Sequence, residues 1–198
     1  MIARNLRLLV IAAAFLAGLV ACLGAIVTLS GTSSSPMQQV ASIGGSFTLV
    51  DQDGRTMRDT DLRGHPFLVF FGFTNCPDVC PTTLFEVSEV FRALGPDAVG
   101  TRALFITVDP ERDTPPVLKD YLSNFDPHLS GLTGDPAAVA AVAKAYRVYY
   151  KKVPLDQGGY TMDHTAVVYL MDKNGRFVSP FNLKRTTEAA AADLRRYL

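Results

Sequence analysis

Cysteine and histidine are both scarce in this chain of 198 residues, at three apiece. Cys22 falls inside an apolar run, so only Cys76 and Cys80 can carry thiol chemistry in the folded part. A structural disulfide between them would close a very short loop and restrain the unfolded chain little. Net charge is missing as well. The 19 lysines and arginines balance 19 aspartates and glutamates, which removes any electrostatic reason to expect a nucleic-acid partner. Charge is absent altogether between Arg7 and Asp51. Taking Arg4 and Arg7 from the 19 basic groups leaves 17 against 19 acidic ones, so the folded part is mildly acidic. Repeats are absent, and the one low-complexity stretch is a short polar segment near the N-terminus.

The uncharged stretch contains the run Leu8 to Leu29, 22 residues long. A helix of that length, at about 1.5 Å per residue, spans the hydrocarbon core of a bilayer. Arg4 and Arg7 precede it and no basic residue follows it up to Val40, so the positive-inside bias places the N-terminus in the cytoplasm and exports the rest. Three fates are open: an uncleaved anchor, a lipoprotein whose Cys22 in Leu19-Val20-Ala21-Cys22 becomes the lipidated terminus, or cleavage and release. The run exceeds a usual signal-peptide core and continues apolar past Cys22, which favours the anchor. Residues 1–30 are thus expected to form the anchor, 31–42 a flexible tether beginning at Gly31-Thr-Ser-Ser-Ser-Pro36, and 43–198 one domain.

Within that domain Phe47–Val50 and Phe67–Phe73 read as strands, the second buried on both faces. A turn and a helix follow, with Pro81 in the first turn, Leu84, Val87, Val90, Phe91 and Leu94 on one face, and a stop at Gly95-Pro96. Ala103–Val108 is a second buried strand, closed by Asp109-Pro110. Thr114-Pro-Pro116 opens a helix to about Phe125, and Asp135-Pro136 another through Tyr146. Arg147–Val153 and Thr165–Met171 read as strands, Lys173-Asn-Gly175 turns into Phe177-Val178, and Thr186 or Thr187 caps a terminal helix. The order is ββαβαβαβ(β)ββα or nearly so. A βαβ unit around buried strands, closed by an antiparallel hairpin and a helix, points to an α/β thioredoxin-like fold.

The two remaining cysteines lie in Phe73-Thr-Asn-Cys76-Pro-Asp-Val-Cys80-Pro81, directly after the central strand. In a strand-to-helix turn both thiols are expected near the surface, and the i, i+4 spacing can bring both sulfurs toward the positive end of the helix. Thiolates there can bind a soft ion such as Cu(I) or exchange with disulfides, and the dithiol alone does not choose. His164, in Met162-Asp163-His164-Thr165 and placed where a loop from Pro154 to Thr161 enters a strand, would complete a three-ligand set suited to copper. A closed zinc site normally takes four ligands. His65 and His128 sit in turn-like contexts and read as solvated. Asp78 is either an electrostatic cap of the helix or an outer participant at the metal. Asp109, Glu111, Arg112 and Asp113 form a charged loop that reads as a structural turn or a partner surface.

Phe73-Thr-Asn-Cys-Pro-Asp-Val-Cys-Pro81, Val108-Asp-Pro-Glu-Arg-Asp-Thr-Pro115 and Asp163-His-Thr165 together resemble the Sco/SenC family of copper chaperones, from about Ile43 to Leu198. The resemblance implies a thioredoxin-like fold and one copper, Cu(I) or Cu(II), on Cys76, Cys80 and His164. It also implies delivery of that copper to the dinuclear site of cytochrome c oxidase, or preparation of that site's thiols. Some members carry histidine where this chain has Asn75, a difference that leaves the cysteine spacing unchanged.

Two functional classes remain open. One is a metallochaperone that receives copper from a periplasmic donor and passes it to an oxidase subunit. The other is a thiol-disulfide reductase using Cys76 and Cys80, or a redox sensor. CxxxC differs from the usual thioredoxin CxxC, and neither its spacing nor His164 is explained by thiol exchange alone. The absence of an Arg/Ser-rich transit segment before Leu8 favours a bacterial inner membrane, single-pass, with the domain in the periplasm.

Overall fold

The structure is a computed structural model that describes residues 14–20, 22 and 43–198. Residues 14–20 and 22 are helical. Most of the expected anchor and all of the expected tether lie outside the described residues, and among those described no helix is long and apolar enough to cross a membrane.

Residues 43–198 form one compact unit with its own core. Its strands are β1 (Thr48–Asp51), β2 (Thr56–Arg58), β3 (Phe67–Gly72), β4 (Arg102–Thr107), β5 (Leu129–Thr133), β6 (Tyr150–Pro154), β7 (Tyr160–His164), β8 (Val168–Met171) and β9 (Phe177–Pro180). Its α-helices are α1 (Val79–Leu94), α2 (Pro115–Leu122), α3 (Pro136–Ala145) and α4 (Thr187–Arg195). Seven strands make one sheet in the order β2-β1-β5-β4-β3-β8-β9, while β6 and β7 pair separately. β3 runs parallel to β4 and β4 to β5, and antiparallel strands flank this centre on both sides. With α1 joining β3 to β4 and α4 packed against α1, this is the thioredoxin-like arrangement that the pattern predicts.

Local chemistry explains the elements. β3, FLVFFG, is buried at every position, as a central strand covered on both faces must be. In α1 the buried side is Cys80, Leu84, Val87, Ser88, Val90, Phe91 and Leu94, at helical spacing. Gly95, at φ 56, then ends the helix where other residues would be strained. Asp135 accepts from Ala138 N–H at 2.8 Å to cap α3, and Thr186, not Thr187, accepts from Ala189 N–H to cap α4.

Several elements depart from the expectation. β5, LSGLT, fills the strand that the expected order left without residues. Gly131 belongs there because a Cβ would meet Leu122 Cδ1 at 2.7 Å and Leu118 Cβ at 3.2 Å, so α2 packs directly on its backbone. β2 is a three-residue strand that the pattern missed, held in register by its antiparallel pairing with β1. Helix α2 stops at Leu122 rather than Phe125, and β6 begins at Tyr150 rather than Arg147. The expected strand Thr165–Met171 is divided, because Thr165 turns to pair its N–H with the Tyr149 carbonyl at 2.9 Å and only Val168–Met171 joins the main sheet.

Candidate metal centre

The centre is assembled from the turn after β3, the first turn of α1 and the end of β7. Cys76 lies before the helix, its N–H bonded to the Phe73 carbonyl at 3.2 Å. Cys80 lies in the first helical turn and donates its own N–H to the Cys76 sulfur at 3.4 Å. A helix-terminal N–H thus points at that sulfur. His164 ends β7, opposite Tyr150 on β6. Its Nε2 stands 3.6 Å from the Cys80 sulfur. Its Nδ1 lies 3.1 Å from the Thr165 carbonyl, which assigns the proton to Nδ1 and leaves the Nε2 lone pair facing the thiols. The two sulfurs and a ring nitrogen of His164 all fall within 4.8 Å of one another. The imidazole is held edge-on by Phe73, at 5.8 Å between ring centroids, and by Phe70 at 6.3 Å.

Both thiols are free, and they differ. Cys76 is half-buried, whereas Cys80 is fully enclosed, contrary to the expectation of two surface thiols. The cause is the helix phase: Cys80 faces β3, where a Cβ on Gly72 would lie only 2.8 Å from its sulfur. Burial pushes the Cys80 thiol far above its ordinary range; a backbone hydrogen bond from Phe73 works against this, and Cys76 and Asp113 add repulsion. A metal that takes this sulfur must therefore displace a proton.

The other candidate residues fall into place around this set. Asp78 occupies the N-cap of α1, but its carboxylate makes no cap hydrogen bond and is exposed beside Thr82. Asp163 is exposed on β7. His65 is exposed and lies over Gly100, away from the centre. His128 is not simply solvated. The Asp126-Pro-His128 turn folds its ring flat against Phe91 of α1, at 4.9 Å, with Nδ1 2.7 Å from Asp126. The charged loop after β4 is a structural turn, and a more deeply embedded one than expected, since Asp109 and Asp113 are both buried. Glu111 reaches outward to Lys152 at 2.6 Å. Gly72 escaped notice in the sequence, although a glycine closing an otherwise apolar strand is the recognised mark of a close approach.

The sequence matches the SCO1/SenC family over residues 35–198. The chain belongs to the SCO1/SenC family. Within it, the SCO2-like protein of Rickettsia prowazekii is 43% identical over 143 residues, 71% of this chain and 70% of that protein. The copper-bound structure of ScoI from Bradyrhizobium japonicum is 66% identical, with a TM-score of 0.77, and covers 79% of this chain and 100% of that one. Copper-bound yeast Sco1 is 37% identical, with a TM-score of 0.71 over 79% of this chain and 88% of that one. This SCO1/SenC chain therefore shares its fold with relatives solved with copper, and brings two thiols and an imidazole to one point.

Proposed function

We propose that this protein is a copper metallochaperone. It binds one copper ion, Cu(I) or Cu(II), through Cys76, Cys80 and His164, and assists assembly of the dinuclear copper site of cytochrome c oxidase. The observation that carries this reading is the convergence of two sulfurs and an imidazole nitrogen within 4.8 Å. The donors fit the ion: two soft thiolates suit Cu(I), the imidazole adds affinity for Cu(II), and no fourth protein ligand of a structural zinc site joins them among the described residues. Three donors, two of them half-buried, let an incoming ligand displace them one at a time, as transfer between proteins requires.

Anaerobic titration of the reduced full chain tests this directly. One Cu(I) per chain is expected, with tight binding abolished in Cys76→Ser and in Cys80→Ser and with transfer to a copper-free oxidase fragment. Unchanged stoichiometry and affinity in both single variants would put the metal elsewhere. A second role is supported by the free, adjacent and unequally exposed thiols: Cys76 and Cys80 can reduce the target site's cysteines, which must be thiols before they accept metal.

The same reading assigns residues 1–30 to a single-pass anchor in a bacterial inner membrane, 31–42 to a tether and 43–198 to a periplasmic domain that takes copper from a periplasmic donor. The uncharged run and the exposed side chains of Phe15, Leu16, Leu19 and Val20 support the anchor. Lipidation of Cys22 is the rival arrangement. Mass spectrometry of the mature protein separates the two: an N-terminus at Met1 supports the anchor, and a lipid-modified Cys22 replaces it.

A further inference from the structure

We propose that the loop between β4 and α2 sets the geometry of the copper centre through two positioning residues, Asp113 for the cysteine turn and Arg112 for the histidine strand. The inference rests on the assignment of Cys76, Cys80 and His164 as copper ligands.

Asp113 is fully buried and spends both carboxyl oxygens on holding its neighbours. Oδ1 accepts from the Thr74 hydroxyl at 2.6 Å, while Oδ2 accepts from the Thr74 N–H at 3.1 Å and from the Thr107 hydroxyl at 2.6 Å. Thr74 stands two residues before Cys76, so the carboxyl grips both the main chain and the side chain of the turn that presents the sulfurs. A turn that needed only to close could use an exposed aspartate, with no burial cost. Asparagine, almost the same shape, would set its NH2 against the Thr74 N–H donor if it lay on the Oδ2 side, and on the Oδ1 side would turn the Thr74 hydroxyl from donor to acceptor.

Arg112 performs the matching task on the other half. Its Nη1 donates to the Tyr160 carbonyl at 2.9 Å and its guanidinium lies 3.9 Å above the Tyr160 ring. Nε pairs with the buried Asp109 carboxylate, which also accepts from the Tyr160 hydroxyl at 2.9 Å. Tyr160 opens β7 and His164 closes it. The guanidinium is also 6.0 Å from the ring of Phe73, the same ring that meets His164 edge-on. One hydroxyl links the two grips: Thr107 donates to Asp113 and accepts from the Asp109 N–H at 2.9 Å. Lysine at 112 would keep the charge but lose the fork that bonds and stacks at once.

The test uses the full chain with Asp113→Asn, Thr74→Val, Arg112→Lys and Tyr160→Leu, so that each half has a second variant should the first fail to fold. Without metal, Asp113→Asn and Thr74→Val are expected to speed alkylation of Cys80, and Arg112→Lys and Tyr160→Leu to raise amide exchange across residues 160–164. With metal, the first pair should weaken Cu(I) and Cu(II) together, and the second pair Cu(II) more than Cu(I), by about 10–100-fold, with a changed Cu(II) visible spectrum. Folded variants with wild-type alkylation, exchange, affinities and spectra would overturn the proposal. If the wild-type chain itself fails to bind copper, the ligand assignment falls, while the alkylation and exchange rates still decide whether the loop positions the two halves.

Discussion

Replacing Gly72 with alanine asks whether packing against β3 is what places the Cys80 sulfur. The alanine Cβ would lie 2.6 Å from Phe105 Cε2 and 2.8 Å from the Cys80 sulfur. Non-bonded heavy atoms settle at about 3.5–4.0 Å, so roughly 1 Å must be found. Gly72 is not among the positive-φ glycines, so the effect is steric and not conformational. Phe105 has little room to give, being fully buried with Phe70 and Tyr121 against it at centroid distances of 6.1 and 5.8 Å. The sulfur, on a side chain with one heavy-atom torsion, is the softer neighbour and takes most of the displacement. A preorganised site tolerates about 0.5 Å. Overpacking of this kind costs about 1–3 kcal/mol of folding stability, and a misplaced ligand is expected to weaken Cu(I) binding by about tenfold, or ~1.4 kcal/mol. Urea unfolding measures the first effect and competition with a Cu(I) chelator the second. A Gly72→Ala protein with the wild-type midpoint and the wild-type Cu(I) affinity would refute the reasoning.

Three further outcomes are expected. His164→Ala should lose far more Cu(II) than Cu(I) affinity and keep its fold, since the imidazole ends a strand at the domain's edge; a wild-type Cu(II) spectrum would make His164 a structural residue. The buried Cys80 thiol stays protonated in the folded state while an unfolded one ionises near pH 9.0. The unfolded state therefore binds fewer protons above that pH, and the metal-free protein should lose up to about 1.4 kcal/mol per pH unit as pH rises. Tyr121 and Tyr146, also raised by burial, add to the loss at higher pH, so unfolding midpoints from pH 8 to 10 should start to fall earlier in wild type than in Cys80→Ser. Finally, under the proposed anchoring, a chain lacking residues 1–30 should bind copper normally yet support oxidase assembly less well at equal abundance, because a tether would raise effective concentration. Equal assembly by both forms would remove the purpose assigned to the anchor.

What the sequence disclosed follows the reach of its signals. The buried strands Phe67–Gly72 and Arg102–Thr107 and the amphipathic helix Val79–Leu94 announce themselves by periodicity and by their glycine and proline stops, and all three are present. Leu129–Thr133 carries a serine and a glycine in five residues, and its place in the sheet depends on neighbours distant in the chain, a tertiary preference that no local pattern carries. At the centre, residue type and spacing named Cys76, Cys80 and His164, which the fold does bring together. The burial of Cys80 was not legible, because it depends on the phase of α1 against β3 and on the absence of a side chain at Gly72. Nor was the grip of Asp113 on Thr74, a contact across 39 residues of chain. Asp-Pro-Glu-Arg-Asp reads as a structural turn or a partner surface, and its deep burial is visible only once the partners of its carboxylates are seen.

The separate pairing of β6 and β7 gives the centre two halves of unequal permanence. Cys80 is rooted in the main sheet and α1, whereas His164 rides on a two-stranded ribbon whose residues 151–159 are all exposed. The ribbon is tied to the rest of the domain through buried Met162 and the Arg112–Tyr160 contacts rather than by sheet pairing, and a unit held by few such ties opens locally at less free energy than a core strand. Local opening of this ribbon would lift the imidazole away and leave both sulfurs where they are. On the copper reading, unloading would then be ordered: the histidine would let go first, and an acceptor's ligand would approach the thiol-bound ion from the side so uncovered before either cysteine had to move.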